Sequence, residues 1–190
     1  MATTLQTIID NARTTLNETT AALWSDAELL VHANAAIKDL WRSIIDLYQD
    51  HVVTIDATNM SITANSSTIT GVPTDLFRIV EISPRVLNST NSGLVFKPRT
   101  LTSPDYVQAK ALPAIDPVSA VVYYVVINAG APVGAPAIRI APQLGTAVNL
   151  TVTYNPVIPA KALGDSNPIP GESDAAIRAY VIAWARARET

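Results

Sequence analysis

Trp24-Ser25-Asp26-Ala27-Glu28-Leu29-Leu30 is the stretch whose reading decides the fold. Ser25 and Glu28 have the S-x-x-E spacing of a capping box. In that motif the hydroxyl accepts the backbone N–H three residues on, and the carboxylate reaches back to the serine N–H. Trp24, just before the cap, and Leu29, at the fourth helical position, are spaced as a hydrophobic staple. Asp26 and Glu28 place negative charge at the positive end of the helix dipole. Leu29, Leu30, Ala33, Ile37, Leu40, Trp41, Ile44 and Tyr48 then recur at helical spacing, with Lys38, Asp39, Arg42 and Asp46 on the opposite face. This periodicity predicts an amphipathic helix from Asp26 to about Gln49.

Outward from this helix, one compositional fact divides the chain. All 13 prolines and all 7 glycines lie between Gly71 and Gly171. Helix interiors exclude both residues, while turns and strand ends collect them. The two ends are therefore expected to be helical and the middle to be β-rich. Upstream, Leu5, Ile8, Ile9, Ala12 and Leu16 mark a helix over Thr3–Glu18, capped by Thr3 or Thr4. The short polar link to the next helix favours antiparallel packing. Downstream, Ile177, Tyr180, Val181 and Trp184 stripe a helix that opens at Glu172 or Ser173 and runs to about Arg188. Arg186 and Arg188 sit at its cation-favouring end.

After Asp50 the period changes from helical to alternating. Residues 51–64 read as a hairpin turning at Ala57-Thr58-Asn59, followed by strands at Thr68–Thr70 and Leu76–Ser83. Leu94–Lys97 is expected to pair back across a loop at 88–93. Ser103-Pro104-Asp105 starts a short helix to Lys110. Ala120–Ile127, rich in Val and Tyr, reads as a central strand buried on both faces. Strands at Ala137–Ala141 and Ala147–Tyr154 follow, with a turn at Pro142-Gln143-Leu144-Gly145. The fold class is α+β. Segments 1–50 and 171–190 are expected to form a three-helix bundle, with an antiparallel β-barrel or sandwich inserted over 51–155. A Pro-rich linker at 156–170 is expected to run extended over the surface.

The chain has 190 residues, a length that suits one domain or a small domain with an insertion. Only 15% of residues are charged, against a usual share of about 25%. So few charges fit a β-rich domain padded with Thr, Ser, Asn and Ala. They fit better a surface covered in an assembly. The net charge of −3 gives no footprint for nucleic-acid or membrane binding. The absence of cysteine excludes disulfides, thiolate nucleophiles and Cys metal sites. No early segment reads as a signal peptide, and no apolar run reaches membrane-spanning length.

Enzyme templates fail in turn. There is no G-x-S-x-G, H-E-x-x-H or phosphate-loop pattern, and no carboxylate pair is set apart by its surroundings. His32, one turn after Glu28, is expected to be structural or exposed rather than a metal ligand. No catalytic residue, cofactor or metal is expected. Arg85, Lys97 and Arg99 form the one basic cluster, flanking the 88–93 loop across the expected hairpin. It reads either as a solvated rim or as a contact to an acidic partner or DNA phosphates. Residues 1–50 carry three basic and seven acidic side chains. A ring of such subunits would show DNA a like-charged wall along which a duplex slides without sticking.

In order along the chain, several segments resemble tailed-bacteriophage head-to-tail adaptor (connector) proteins, including those like the tail tubular protein A of short-tailed phages. The segments are Trp24-Ser25-Asp26-Ala27-Glu28-Leu29-Leu30 with Asn34-Ala35-Ala36, then Val72-Pro73-Thr74-Asp75-Leu76-Phe77-Arg78-Ile79-Val80. Tyr154-Asn155-Pro156 follows, with the Ile169-Pro170 pair before the last helix. The resemblance implies a virion protein at the head–tail junction, in a ring of about twelve copies beneath the portal protein. Such a ring extends the channel for double-stranded DNA, without sequence-specific binding, and docks the tail nozzle or tail tube. It also implies that the helical part engages the portal, making Tyr180, Trp184, Arg186 and Arg188 portal-contact candidates. Arg85, Lys97 and Arg99 become tail- or DNA-facing candidates. The competing reading is a non-catalytic β-sandwich binding module, for carbohydrate or adhesion. That reading needs exposed aromatics on one face.

Overall fold

The computed structural model describes residues 3–18, 23–48, 53–86, 91–118, 120–128, 135–169 and 173–188. The described residues are mixed α+β, with four helices and one curled half-barrel sheet. The chain divides into two compact units: Met1–Tyr48 with Ile158–Thr190, and Gln49–Val157.

The first unit holds α1 (Leu5–Thr15), α2 (Asp26–Tyr48) and α4 (Ser173–Arg188). The capping box forms as the spacing predicts. Glu28 N–H donates to Ser25 Oγ at 3.2 Å, and Glu28 Oε2 accepts from the Ser25 N–H at 3.0 Å. Trp24 and Leu29 lie in the same buried cluster. Thr4 caps α1, its Oγ1 accepting from Thr7 N–H at 3.3 Å. The three helices share one core. Leu5, Ile8, Ile9 and Ala12 meet Leu29, Ala33, Ala36 and Ile37, and α4 adds Ile177, Val181 and Ala185. The alanines keep the facing surfaces small enough for close approach of the helices. Tyr48, expected on the apolar face of α2, is 59% exposed at the last position of the helix, past the fully buried Ile45.

The Pro-rich segment is more than a surface strap. Ile158 and Ile169 are buried in the helical core, with Leu163 packed against it. Its carbonyls serve the donors that the start of a helix leaves without intrahelical partners. Leu5 N–H donates to Asp165 O at 3.0 Å, and Gln6 N–H to Leu163 O at 2.8 Å.

The second unit is an eight-stranded sheet: β1 (Thr54–Asp56), β2 (Ser61–Ile62), β3 (Thr68–Thr70), β4 (Leu76–Pro84), β5 (Val95–Pro98), β6 (Val121–Ile127), β7 (Ala137–Ala141) and β8 (Val148–Pro156). The order is β1-β8-β2-β3-β7-β6-β5, with β4 also on β8. Three expectations are corrected here. First, the 51–64 hairpin does not form. β1 and β2 both run antiparallel to β8, in register Thr54↔Tyr154 and Ser61↔Asn149. Asp56 Oδ1 accepts from the N–H groups of Thr58 and Asn59, so the chain kinks there and carries on along β8 instead of reversing. The described part of that segment starts at Val53. Second, β5 does not pair back on β4. It lies parallel to β6, in register Val95↔Val121, because α3 (Pro104–Lys110) and its flanking loops return the chain in a crossover. Third, the sheet is neither a wholly antiparallel barrel nor a sandwich: it is half-closed and carries one parallel pair.

The expectation for β6 holds in kind. Val122 and Tyr124 face the main β-core with Ile62, Leu76, Ile138, Ile140 and Leu150. Tyr123, Val125 and Ile127 face the other way, under Tyr106 and Ala109 of α3.

Candidate functional site

Among the described residues, no group of three or more His, Asp or Glu could hold a metal, and no helix is long and apolar enough to cross a membrane. An open cleft of about 320 Å³ beside α1 and the start of α4 is lined by polar residues including Thr3, Thr7, Asn11, Asp174 and Arg178. Its carboxylate is already used, since Asn167 Nδ2 donates to Asp174 Oδ1 at 2.6 Å. The chemically distinctive surfaces lie elsewhere.

The first gathers at the ends of α2 and α4. Tyr180, Trp184 and Arg188 are spaced four apart, so they share one side of α4, while Arg186 points to another. Trp184 is half-buried, its ring stacked on His32 with centroids 3.3 Å apart and edge-on to Trp24 at 5.2 Å. The Arg188 guanidinium lies 5.4 Å from the Trp24 ring and 5.6 Å from the Trp184 ring, and Nη1 is 3.4 Å from Glu28 Oε1. Tyr180 and Arg186 are exposed. The two serine bonds hold the Glu28 carboxyl below the usual carboxylate range, with Arg188 adding to the effect. His32 is pushed below the ordinary histidine range by burial first and by Arg188 second, while Glu28 pulls the other way. The structure thus joins Trp184 to Arg188 and leaves Tyr180 and Arg186 as separate exposed side chains.

The second surface is the basic cluster, whose members stand at two strands, Arg85 just past β4 and Lys97 and Arg99 at β5. Arg85 is tied to β8: its N–H donates to Asn149 O at 2.8 Å and its Nη2 to Leu150 O at 3.3 Å. Lys97 is exposed on β5, opposite Tyr123 in the register. Arg99 pairs with Asp105 at 3.0 Å and lies 5.0 Å over the Tyr123 ring. Lys97 and Arg99 therefore belong to the β5 end of the sheet, whereas Arg85 is held at the β4–β8 pairing. Residues 87–90 of the intervening loop lie outside the described residues.

Three polar locks were not read from the sequence. Arg13 is 5% exposed and binds Asp26 Oδ1 through Nε at 3.0 Å and Nη2 at 2.6 Å. It also donates to Trp24 O and sits 3.4 Å from Glu18. A signal was present: Arg13 falls four residues after Ile9, on the apolar stripe of α1, where a charge survives only if paired. In the second lock, Asn34 accepts from Lys161 N–H at 2.8 Å and donates to Lys161 O at 3.0 Å, pinning the Pro-rich segment to α2. In the third, Tyr154 OH donates to Asp75 Oδ1 at 2.9 Å, and Val157 N–H donates to Asp75 O. Burial and the neighbouring Asp75 push the Tyr154 hydroxyl up to about 12. Thus the Val72–Val80 and Tyr154–Pro156 segments are bonded neighbours across the β4–β8 pairing.

No curated protein matches the chain. The family described as SU10 adaptor protein matches residues 3–189. That match takes in the capped helix, both halves of the β4–β8 lock and the last helix, and the chain belongs to this family of phage head-to-tail adaptors.

Proposed function

We propose that this protein is a structural, non-catalytic adaptor that assembles as a ring beneath the portal of a phage virion. In this reading the ring has about twelve copies, built from one heterologous contact repeated around a closing rotation. It extends the DNA channel and docks the tail nozzle or tail tube. The observation that carries the proposal is the family match over nearly the whole chain.

Two features support it. The helical unit is held as one piece by a shared core, the Arg13 network and the Asn34 lock, which suits a rigid subunit of a ring. Most of the described aromatic residues of the β unit are committed to packing. Tyr106, Tyr124 and Tyr154 are buried, Phe96 packs against the β-core and Tyr123 is half-buried beneath Arg99. Phe77 is partly exposed on β4, so the exposed aromatic face that a sugar platform needs is reduced to little. We assign Tyr180, Trp184, Arg186 and Arg188 to the portal side. Arg85, Lys97 and Arg99 go to the tail- or DNA-facing side.

Native mass spectrometry of the chain, alone and with its cognate portal, tests the proposal. A complex with as many adaptors as portal subunits is expected, weakened by Arg186→Glu at an exposed position. A monomer indifferent to the portal would overturn it and favour a ligand-binding β-module.

A further inference from the structure

The Arg188 guanidinium lies in an open notch beside the Trp24 and Trp184 rings and the Glu28 carboxylate, and these three groups differ from it in rigidity. Trp24 is 7% exposed and rooted in the helical core. Trp184 is fixed by the His32 stack at 3.3 Å, with an interplanar angle of 22°. Glu28 is fixed through one oxygen only, Oε2 accepting from Ser25 N–H at 3.0 Å and from Ser25 Oγ at 2.9 Å. Its other oxygen, Oε1, is the one that faces the cation. Arg188 itself is held loosely. Its side chain is 59% exposed, it sits in the last turn of α4, and its contact with Glu28 is 3.4 Å, at the long end of hydrogen-bond range.

We propose that Trp24, Trp184 and Glu28 form a preorganised clamp for an arginine side chain of another protein, with Arg188 as the internal occupant that is displaced. The chemistry matches that ligand. Two indole faces attract a weakly hydrated planar cation, and a fixed carboxylate supplies the countercharge. The protein's own guanidinium already shows that the group fits in the notch beside these residues, whose rings meet edge-to-face at 5.2 Å. An occupant on the same chain competes at an effective concentration in the millimolar range, so it sets the threshold an incoming arginine must exceed. The clamp goes beyond the adaptor reading and stands without it, because its parts all belong to the helical unit.

The test uses the full chain, labelled with ¹⁵N, titrated with N-acetyl-arginine amide while the indole N–H resonances of Trp24 and Trp184 are followed. Arg188→Ala is expected to bind the probe at least about tenfold more tightly than the parent chain. Glu28→Gln in the Arg188→Ala background keeps the capping geometry, since glutamine serves at that position, but removes the charge. It is expected to abolish the gain. The neutral isostere N-acetyl-citrulline amide is expected to leave both indole signals unmoved. Equal affinity with and without Arg188, or binding that survives Glu28→Gln, would overturn the clamp.

Discussion

Arg13 carries a full charge on the apolar side of α1, and the fold tolerates it only because Asp26, Glu18 and the Trp24 carbonyl surround it. Removing the guanidinium strands the Glu18 carboxylate, which is 8% exposed and already accepts from the Leu23 and Trp24 N–H groups. Arg13→Ala is therefore expected to cost about 3 to 5 kcal/mol, the range for breaking a buried pair. Denaturant unfolding followed by tryptophan emission would read it. An unchanged midpoint would mean that water reaches the network. Gly71 is the residue-scale case for backbone geometry. Its φ is +71°, and a Cβ there would lie 2.0 Å from the Asn59 carbonyl oxygen. Gly71→Ala combines left-handed strain with a backbone clash, so a loss of at least about 2 kcal/mol is expected on thermal melting.

At the scale of elements, two locks connect pieces that local propensity cannot join. Asn34 bonds both backbone groups of Lys161, 127 residues away. In Asn34→Ala, those groups lose their partner, with an expected cost of about 1 to 3 kcal/mol. Amide exchange should quicken at Lys161 and at Leu5 and Gln6, whose acceptors lie on the same segment. Exchange that stayed slow at all three would show that Ile158 and Ile169 alone hold the segment. The second lock gives a pH dependence. The Tyr154 hydroxyl is pushed up to about 12 by burial first, and then by the bond to Asp75 and its charge. In the unfolded chain tyrosine ionises near about 10. Between these values the unfolded state releases a proton that the folded state keeps, so stability falls as pH rises through that window. Asp75→Asn removes the charge, and the ionisation of Tyr154, followed by ring-carbon NMR, should move down. No movement would assign the whole shift to burial.

At the scale of the molecule, each unit has its own core. All 3 tryptophans (Trp24, Trp41 and Trp184) belong to the helical unit, so tryptophan emission reports that unit alone. Ile138 is fully buried in the β-core, on β7 between β3 and β6. Ile138→Ala is expected to cost about 2 to 5 kcal/mol in that unit, seen as faster amide exchange along β6 and β7. Protection equal to the parent chain would mean that the half-barrel closes around the lost volume.

What the sequence determined by itself was local. The capping box at Ser25 and Glu28, the Pro at the start of α3, and the exclusion of Pro and Gly from both ends each act within a turn or two. The helices therefore fall close to where their residues put them. Strand positions were legible for the same reason, since alternation is a property of neighbours. Partner choice was not. β1 and β2 both settle on β8, and β5 turns parallel to β6, because pairing depends on which edge the chain reaches after a kink at Asp56 or a crossover through α3. The sites divide in the same way. Trp24, Glu28, Trp184 and Arg188 stand out by residue type and position. Only the tertiary structure sets one guanidinium beside two indoles and ties Arg85 to β8 while β5 carries Lys97 beside β6. Burial and long-range hydrogen bonding are satisfied across the whole fold, not within any stretch of it.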